Sequence, residues 1–402
     1  MSLISENSDQ IPEEYLPMII HYLKKYDNTN VDLSKPHLNP YFATNYPIIV
    51  LVYSLLIISS VLANLAMIFH VVKRRLYKDT TCAFLINIAI ASTVHVTFVL
   101  PITLAVMLMQ NWIFGRLICF CLPIFQDLPI HISMLTYLMI AGDRYRYLSD
   151  PIKSRIPAFV CSLGALFFAI CIVLPYPIYA TYLDFQNFSE AQDNQTSIRG
   201  LQMCIFNLAD DIQEYMRGLF IGTYIAPLTI TAYFNVKSGQ ELQNQEIPFP
   251  VAVYEARTNH SAKYSRQGSS VSNDVMSSIR VKQENESSGT SGTVAISNLS
   301  TSCDLEDSDL DIHKEKRTQK YIVLMTTAFA ICLCPLMILR LIKPSIEETY
   351  ANADHINMTY VTLVWVAFLP EFITPCLYAS WQMNIKCTST SNNNKHTHVM
   401  NK

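Results

Sequence analysis

Apolar residues run through this chain in seven long blocks, at about residues 45–71, 82–109, 118–141, 157–180, 214–236, 319–342 and 357–380. Each has about the 20 mostly apolar residues that a helix needs to cross a hydrocarbon core of roughly 30 Å. The pattern predicts an all-α membrane protein, a bundle of seven transmembrane helices. Between the fifth and sixth blocks the pattern stops. Residues 238–317 are rich in Ser, Asn, Gln, Glu and Asp, bury too little apolar surface to fold alone, and read as a long disordered cytoplasmic loop. Within it "SRQGSSVSNDVMSS" and "DLEDSDLD" surround Ser277, Ser278 and Ser308, which are candidates for kinases; a passive linker is the other reading. The chain then divides into an N-terminal segment (1–44), helices one to five (45–237), the loop (238–317), helices six and seven (318–380) and a tail (381–402).

Composition supports membrane insertion: half of the 402 residues are hydrophobic and 15% are charged, against about a quarter charged in soluble chains. Basic residues cluster in alternate connections, with Lys73, Arg74, Arg75 and Lys78 after the first block, Arg146, Lys153 and Arg155 after the third, and Lys314, Lys316, Arg317 and Lys320 before the sixth. That bias predicts an extracellular N-terminus, a cytoplasmic tail and a multi-pass protein of the plasma membrane. No charged start followed by a short apolar core and a cleavage site opens the chain, so the first helix is expected to direct insertion. The net charge of -3 and the lack of a basic run interleaved with aromatics argue against nucleic acid. No metal-ligand cluster, phosphate-binding glycine loop or nucleophile–base pairing is present, so the pattern predicts neither an enzyme nor a resident cofactor.

Of the 11 cysteines, those in the spans read as packing residues. Cys303 and Cys387 fall on the cytoplasmic side and are expected to stay reduced, with Cys387 a candidate for palmitoylation. Cys119 and Cys121 at the start of the third block, and Cys204 in the long outer connection, are left as possible bridge partners. Sequons at Asn187, Asn194 and Asn357 fall in outer connections and are candidate glycosylation sites, whereas those at Asn259, Asn285 and Asn298 fall inside.

The third block opens after "NWIFGRLIC" and closes on "IAGDRYRYLSDPI". With these motifs the chain resembles the rhodopsin-like, class A family of G-protein-coupled receptors across all seven spans. The resemblance implies a Cys119–Cys204 disulfide, because Trp112, Phe114 and Gly115 match the motif before the family's bridging cysteine. It also implies a short amphipathic cytoplasmic helix after helix seven. Asp143, Arg144 and Tyr145 match the family's Asp-Arg-Tyr switch, and Ile152 after Pro151 matches the residue that inserts into the G protein. Phe329, Cys332 and Pro335 match helix six, and Tyr378 matches the tyrosine of helix seven. Glu315, twenty residues before Pro335, matches the acidic partner of Arg144. Such a pair would close the cytoplasmic end at rest and open toward a heterotrimeric G protein; a plain charge in "KEKR" is the alternative. Arrestin and kinases are further partners that the family implies.

The chain departs from that pattern at Leu333, where a tryptophan is usual, and at Ala63, Tyr233, Asn235 and Thr374. It also lacks the usual tryptophan of helix four. Ser92 stands where the family has the aspartate that binds sodium with a serine of helix three, here Ser133. Glu371 brings a carboxylate to another wall of the same pocket, on one helical face with Thr374 and Tyr378. An acid at bilayer depth costs roughly 2.5–3.5 kcal/mol and should face the interior with partners. Asn64, Ser92, Ser133, Glu371 and Thr374 are therefore expected to form a relocated polar site, with sodium the candidate ion. A protonated packing glutamate and a site lost by drift are the alternatives.

The ligand is expected to be extracellular. The seventh block has no lysine for retinal, and Gln126 stands where amine receptors carry an aspartate. Gln126, Asp127, Arg217, Tyr224, Arg340, Tyr360 and Trp365 are candidate pocket residues, with His131 nearer to a packing role. This mixed polar and aromatic set suits a peptide. Glu6, Glu13, Glu14, Asp184, Asp210, Asp211, Glu214, Glu347, Glu348 and Asp354 make the outer surface acidic, which would draw a basic ligand, and a neuropeptide is the leading reading. The segment "EEYLPMIIHYLKKY" carries apolar residues at helical spacing and would cover the bundle or touch the ligand. A signalling-deficient scaffold would fit the departures but not the retention of Arg144 and Glu315. A secondary transporter would use Glu371 but should show an internal repeat, and none is seen.

Overall fold

The computed structural model describes residues 35–109, 111–150, 157–184, 202–206, 213–245, 293–342 and 353–383. Seven helices among them are long and apolar enough to span a bilayer: α1 (Tyr46–Lys73), α2 (Thr80–Leu108), α3 (Gly115–Ser149), α4 (Ala158–Tyr179), α5 (Tyr215–Gln245), α6 (Ile312–Ile342) and α7 (Met358–Met383). The seven predicted blocks are these helices. The amphipathic helix expected after α7, the segment 1–34, Ile152, Asn187 and Asn194 lie outside the described residues.

α1 shows why the blocks are apolar almost all round. Ile48, Leu51, Leu55, Ile58, Leu62, Leu65, Phe69 and Val72 recur every three or four residues and are exposed, while Tyr53, Leu56, Ser60, Asn64, Met67 and Val71 are buried. The exposed stripe is the more apolar of the two. That is the reverse of a soluble helix and is what a lipid-facing surface requires. The buried stripe carries the polar groups, which find partners on neighbouring helices. The helices pack around two apolar clusters, one including Met67, Leu85, Ile140, Met325 and Tyr378, the other including Tyr53, Leu100, Leu336 and Val364.

A two-stranded antiparallel hairpin, β1 (Ala180–Asp184) and β2 (Gln202–Phe206), follows α4, with Tyr182 opposite Cys204. Cys204 is disulfide-bonded to Cys119 at the start of α3, and Cys121 is free. The "NWIFG" motif builds the seat for that bond. Trp112 donates its backbone N–H to Gln202 O at 2.9 Å and its indole N–H to Gly115 O at 2.9 Å, and it packs with Phe114, Cys119, Tyr182 and Cys204. Gly115 has φ +73°, a left-handed conformation that glycine adopts without strain.

The chain divides into two compact units, Met1–Asn235 with Tyr321–Lys402, and Val236–Lys320. The first holds the apolar clusters and the hairpin. The second corrects the expectation of a structureless loop over 238–317: α5 continues to Gln245, and the helix that includes α6 begins at Thr293. Once nucleated, a helix gains one hydrogen bond for each residue added, and the polar residues of "SGQELQNQ" and "HKEKRTQK" extend it. Residues 246–292 lie outside the described set. Asn357, expected in a connection, falls inside the helix Ala353–Phe368.

Candidate functional site

The site is built on the prolines of α7. In a regular helix the Glu371 carbonyl would accept from the N–H of residue 375, which is Pro375 and has none. The Asn64 side chain of α1 supplies the missing donor, with Nδ2 to Glu371 O at 2.7 Å and to its own helix at Ser60 O at 2.8 Å. Pro370 likewise cannot serve Val366 O, which instead takes the Leu369 N–H at 3.1 Å in a tighter turn. The two prolines thus loosen α7 on either side of Glu371, and α1 restores one of the lost bonds.

The Glu371 carboxylate faces α2. His95 Nδ1 lies 3.0 Å from Glu371 Oε1, and the imidazole packs on Phe368 with ring centroids 4.3 Å apart. His95 opens a π-helical turn, His95–Val99, in which the Leu100 N–H bonds to His95 O across five residues. Pro101 immediately follows. Its ring and missing N–H disrupt the regular ladder at this level, and the wider turn accommodates the break. Sequence pattern missed His95. The signal available was a polar residue three positions after Ser92 in an apolar run, but the extra residue in the turn rotates everything beyond it.

One cavity in the bundle is lined by His95, Thr103, Gln126, Ile130, Phe329, Leu333, Leu336, Arg340, Tyr360, Val364, Ala367, Phe368 and Glu371. From Arg340 to Phe329 on α6, and from Tyr360 to Glu371 on α7, the wall covers eleven residues, about 16 Å at a rise of 1.5 Å per residue. Polar groups sit at its two ends and apolar ones between. Toward the Arg340 end, Arg340 Nη1 donates to Asp127 Oδ1 at 2.6 Å and Gln126 Nε2 donates to Thr103 Oγ1 at 2.8 Å. The Tyr176 hydroxyl also bonds Asp127. His131, one turn along from Asp127, is buried with no hydrogen-bond partner at Nε2 among the described residues.

Of the pocket residues expected from sequence, Gln126, Arg340 and Tyr360 line this cavity, and Asp127 fixes Arg340 at its edge. The other three do not line it. Tyr224 is buried in the first apolar cluster and donates to Ala330 O at 2.9 Å, Trp365 packs against the second cluster, and Arg217 is exposed on α5. The expected polar site is also rearranged. Thr374 Oγ1 pairs with the Tyr137 hydroxyl at 3.1 Å, Ser92 and Ser133 are buried, and the groups hydrogen-bonded to Glu371 are His95 and Asn64.

These residues do not fit a sodium ion. A hard cation needs several converging oxygen ligands, yet Asn64 directs its amide N–H groups at carbonyls, Thr374 is engaged with Tyr137, and one oxygen of the carboxylate faces an imidazole.

At the other end of the bundle Arg144 is buried on α3, and the neighbouring Tyr145 stacks on Phe234 of α5 with centroids 5.6 Å apart. Tyr378 bonds His70 Nδ1 at 3.0 Å and stands edge-on to Trp381. Phe234 and His70 were not legible as partners, because each lies across a helix–helix contact from the motif it supports. Glu315 belongs to the second unit.

The family "7 transmembrane receptor (rhodopsin family)" matches residues 63–378. Among curated relatives, the Homo sapiens cholecystokinin receptor type A is 26% identical over 170 residues, 41% of this chain and 38% of that receptor. Its Oryctolagus cuniculus counterpart is 28% identical over 172 residues, again 41% and 38%. The Rattus norvegicus neuropeptide Y receptor type 5 is 32% identical over 128 residues, 31% of this chain and 29% of that receptor. The matched stretches thus cover well under half the length of these relatives.

Proposed function

From the chain's membership of the rhodopsin family of seven-transmembrane receptors, which are not enzymes, we propose that it is a cell-surface receptor that binds an extracellular peptide and activates heterotrimeric G proteins. The observation that carries this reading is the cavity that Gln126, Arg340 and Tyr360 line. Its mixture of fixed charges and apolar wall is the lining that a peptide terminus or side chain needs. The relatives named for cholecystokinin and neuropeptide Y favour a peptide over a small amine. In this reading the N-terminus, the hairpin and the disulfide are outside, glycans sit at Asn187, Asn194 or Asn357, and the Arg144 end is inside, where arrestin and kinases would also engage.

Signalling would run through Asp143, Arg144 and Tyr145. Arg144 is held at rest by Glu315 and released toward the G protein, with Ile152 and Tyr378 completing the contact surface. Peptide-library screening of the expressed receptor, read by nucleotide exchange on purified G proteins, tests the proposal. Arg144→Ala is expected to abolish exchange with surface expression retained, and Glu315→Ala to raise ligand-free exchange. A receptor that reaches the surface and binds a peptide but drives exchange on no G protein would be a signalling-deficient scaffold instead.

A further inference from the structure

We propose that Glu371 is a ligand-binding carboxylate. The floor of the cavity receives a cationic group, an ammonium or guanidinium carried on a slender apolar stem, and His95 holds that place in the ligand-free protein. This deepens the receptor reading above and rests on it.

Four observations converge. Glu371 lines the same cavity as Arg340 and Tyr360, and the residue between them on α6 is Leu333, so no large aromatic side chain at that position closes the passage. The side chain of Glu371 keeps 11% of its surface exposed while that of His95 keeps 3%, so of the two Glu371 is the more open. A carboxylate has two oxygens and room for about four hydrogen bonds, and His95 meets only Oε1, at 3.0 Å. The wall between the two polar ends includes Phe329, Leu336, Val364 and Phe368, so whatever reaches Glu371 must pass as hydrocarbon.

Charge sign then selects the ligand group. An anion at the floor would face a carboxylate in surroundings that water enters poorly. A cation would gain charge-assisted hydrogen bonds, about twice as strong as neutral ones, with the aromatic face of Phe329 or Phe368 in range of the stem end. The cavity's other cation, Arg340, is already matched by Asp127 at 2.6 Å, so its field is largely cancelled. A basic ligand entering from that end meets a paired charge first and the carboxylate last.

The test uses the purified full-length receptor and three fragments of one length: n-butylguanidinium, its neutral isostere n-butylurea, and valerate. Thermal unfolding is followed with each fragment at millimolar concentration, since a ligand that binds only the folded state raises the midpoint. Butylguanidinium is expected to raise it by a few degrees and butylurea not at all. Glu371→Gln is expected to lose the shift, and His95→Gln to enlarge it by leaving the carboxylate without its internal partner. If Glu371→Gln does not fold, the larger shift in His95→Gln carries the test. The proposal is overturned if wild type shows no shift, if Glu371→Gln keeps it, if His95→Gln leaves it unchanged, or if valerate alone stabilises and Arg340→Gln removes that effect. The assay contains no G protein. A receptor that couples without binding the cation therefore refutes this proposal alone, and one that binds the cation without coupling refutes only the signalling role.

Discussion

Asn64 illustrates how much one side chain can carry when its neighbours are prolines. Its amide donates to Ser60 O and Glu371 O, and the second bond replaces the one that Pro375 cannot make. In Asn64→Ala the Glu371 carbonyl would stay buried without that donor. A buried acceptor left so costs about 1–3 kcal/mol. The expected outcome is a clear loss of thermal stability in detergent. Ser59→Ala serves as the control: its hydroxyl bonds Leu55 O on an exposed face, and its loss should move the midpoint little. Equal midpoints for the two variants would mean that Asn64 does not repair α7. His95 acts at the same scale but on the other half of Glu371. The carbonyl is tied to α1 and the carboxylate to α2, so the residue joins three helices.

The element that most shapes the cavity's entrance is the β1–β2 hairpin. Its strands are five residues each, and an isolated two-stranded hairpin is marginal in water. The Cys119–Cys204 bond and the Trp112 N–H to Gln202 O contact hold it to the start of α3. Digestion of the unreduced protein followed by mass spectrometry should therefore recover the Cys119–Cys204 cross-link with Cys121 alkylatable. Cys204→Ser should reduce surface expression and peptide response together. Recovery of Cys121–Cys204 instead would place the hairpin one helical step from where the structure has it. The π turn His95–Val99 is the second such element. It sets the phase of α2 beyond it, and with it which residues of that half face the cavity.

At the scale of the whole molecule, the departures noted in the sequence converge on one cavity. Leu333 is buried and lines the wall between the Arg340 end and Glu371. Leu333→Trp should plug that passage. Overpacking of this kind costs about 1–3 kcal/mol, so the receptor is expected to fold and reach the surface, to lose stabilisation by butylguanidinium, and to keep the Asp127–Arg340 pair. Unchanged butylguanidinium binding in Leu333→Trp would show that the cation enters by another route. The acid that α7 gained and the aromatic that α6 lost then have a common physical reading: a deeper cavity with a charge at its floor.

The number of spans, their limits to within a few residues at most ends, and the motifs at both ends of α3 were decided by the sequence itself. Lipid solvation demands about 20 apolar residues per helix whatever the packing, so the signal survives without knowledge of any neighbour. The same logic said that Glu371 must face inward and be partnered. It did not say by what. The expected partners Ser92 and Ser133 share the general region, yet the partner found is His95, because one additional residue in the α2 ladder turns the helix by an amount that no regular periodicity encodes. The extended ends of α5 and α6 were hidden for a different reason, since polar sequence beyond a membrane span looks alike whether it continues the helix or not. Tyr224, Trp365 and Arg217 read as pocket residues by composition. Only the rotation of each helix against its neighbours decides which polar side chain meets the cavity, another helix or the outside.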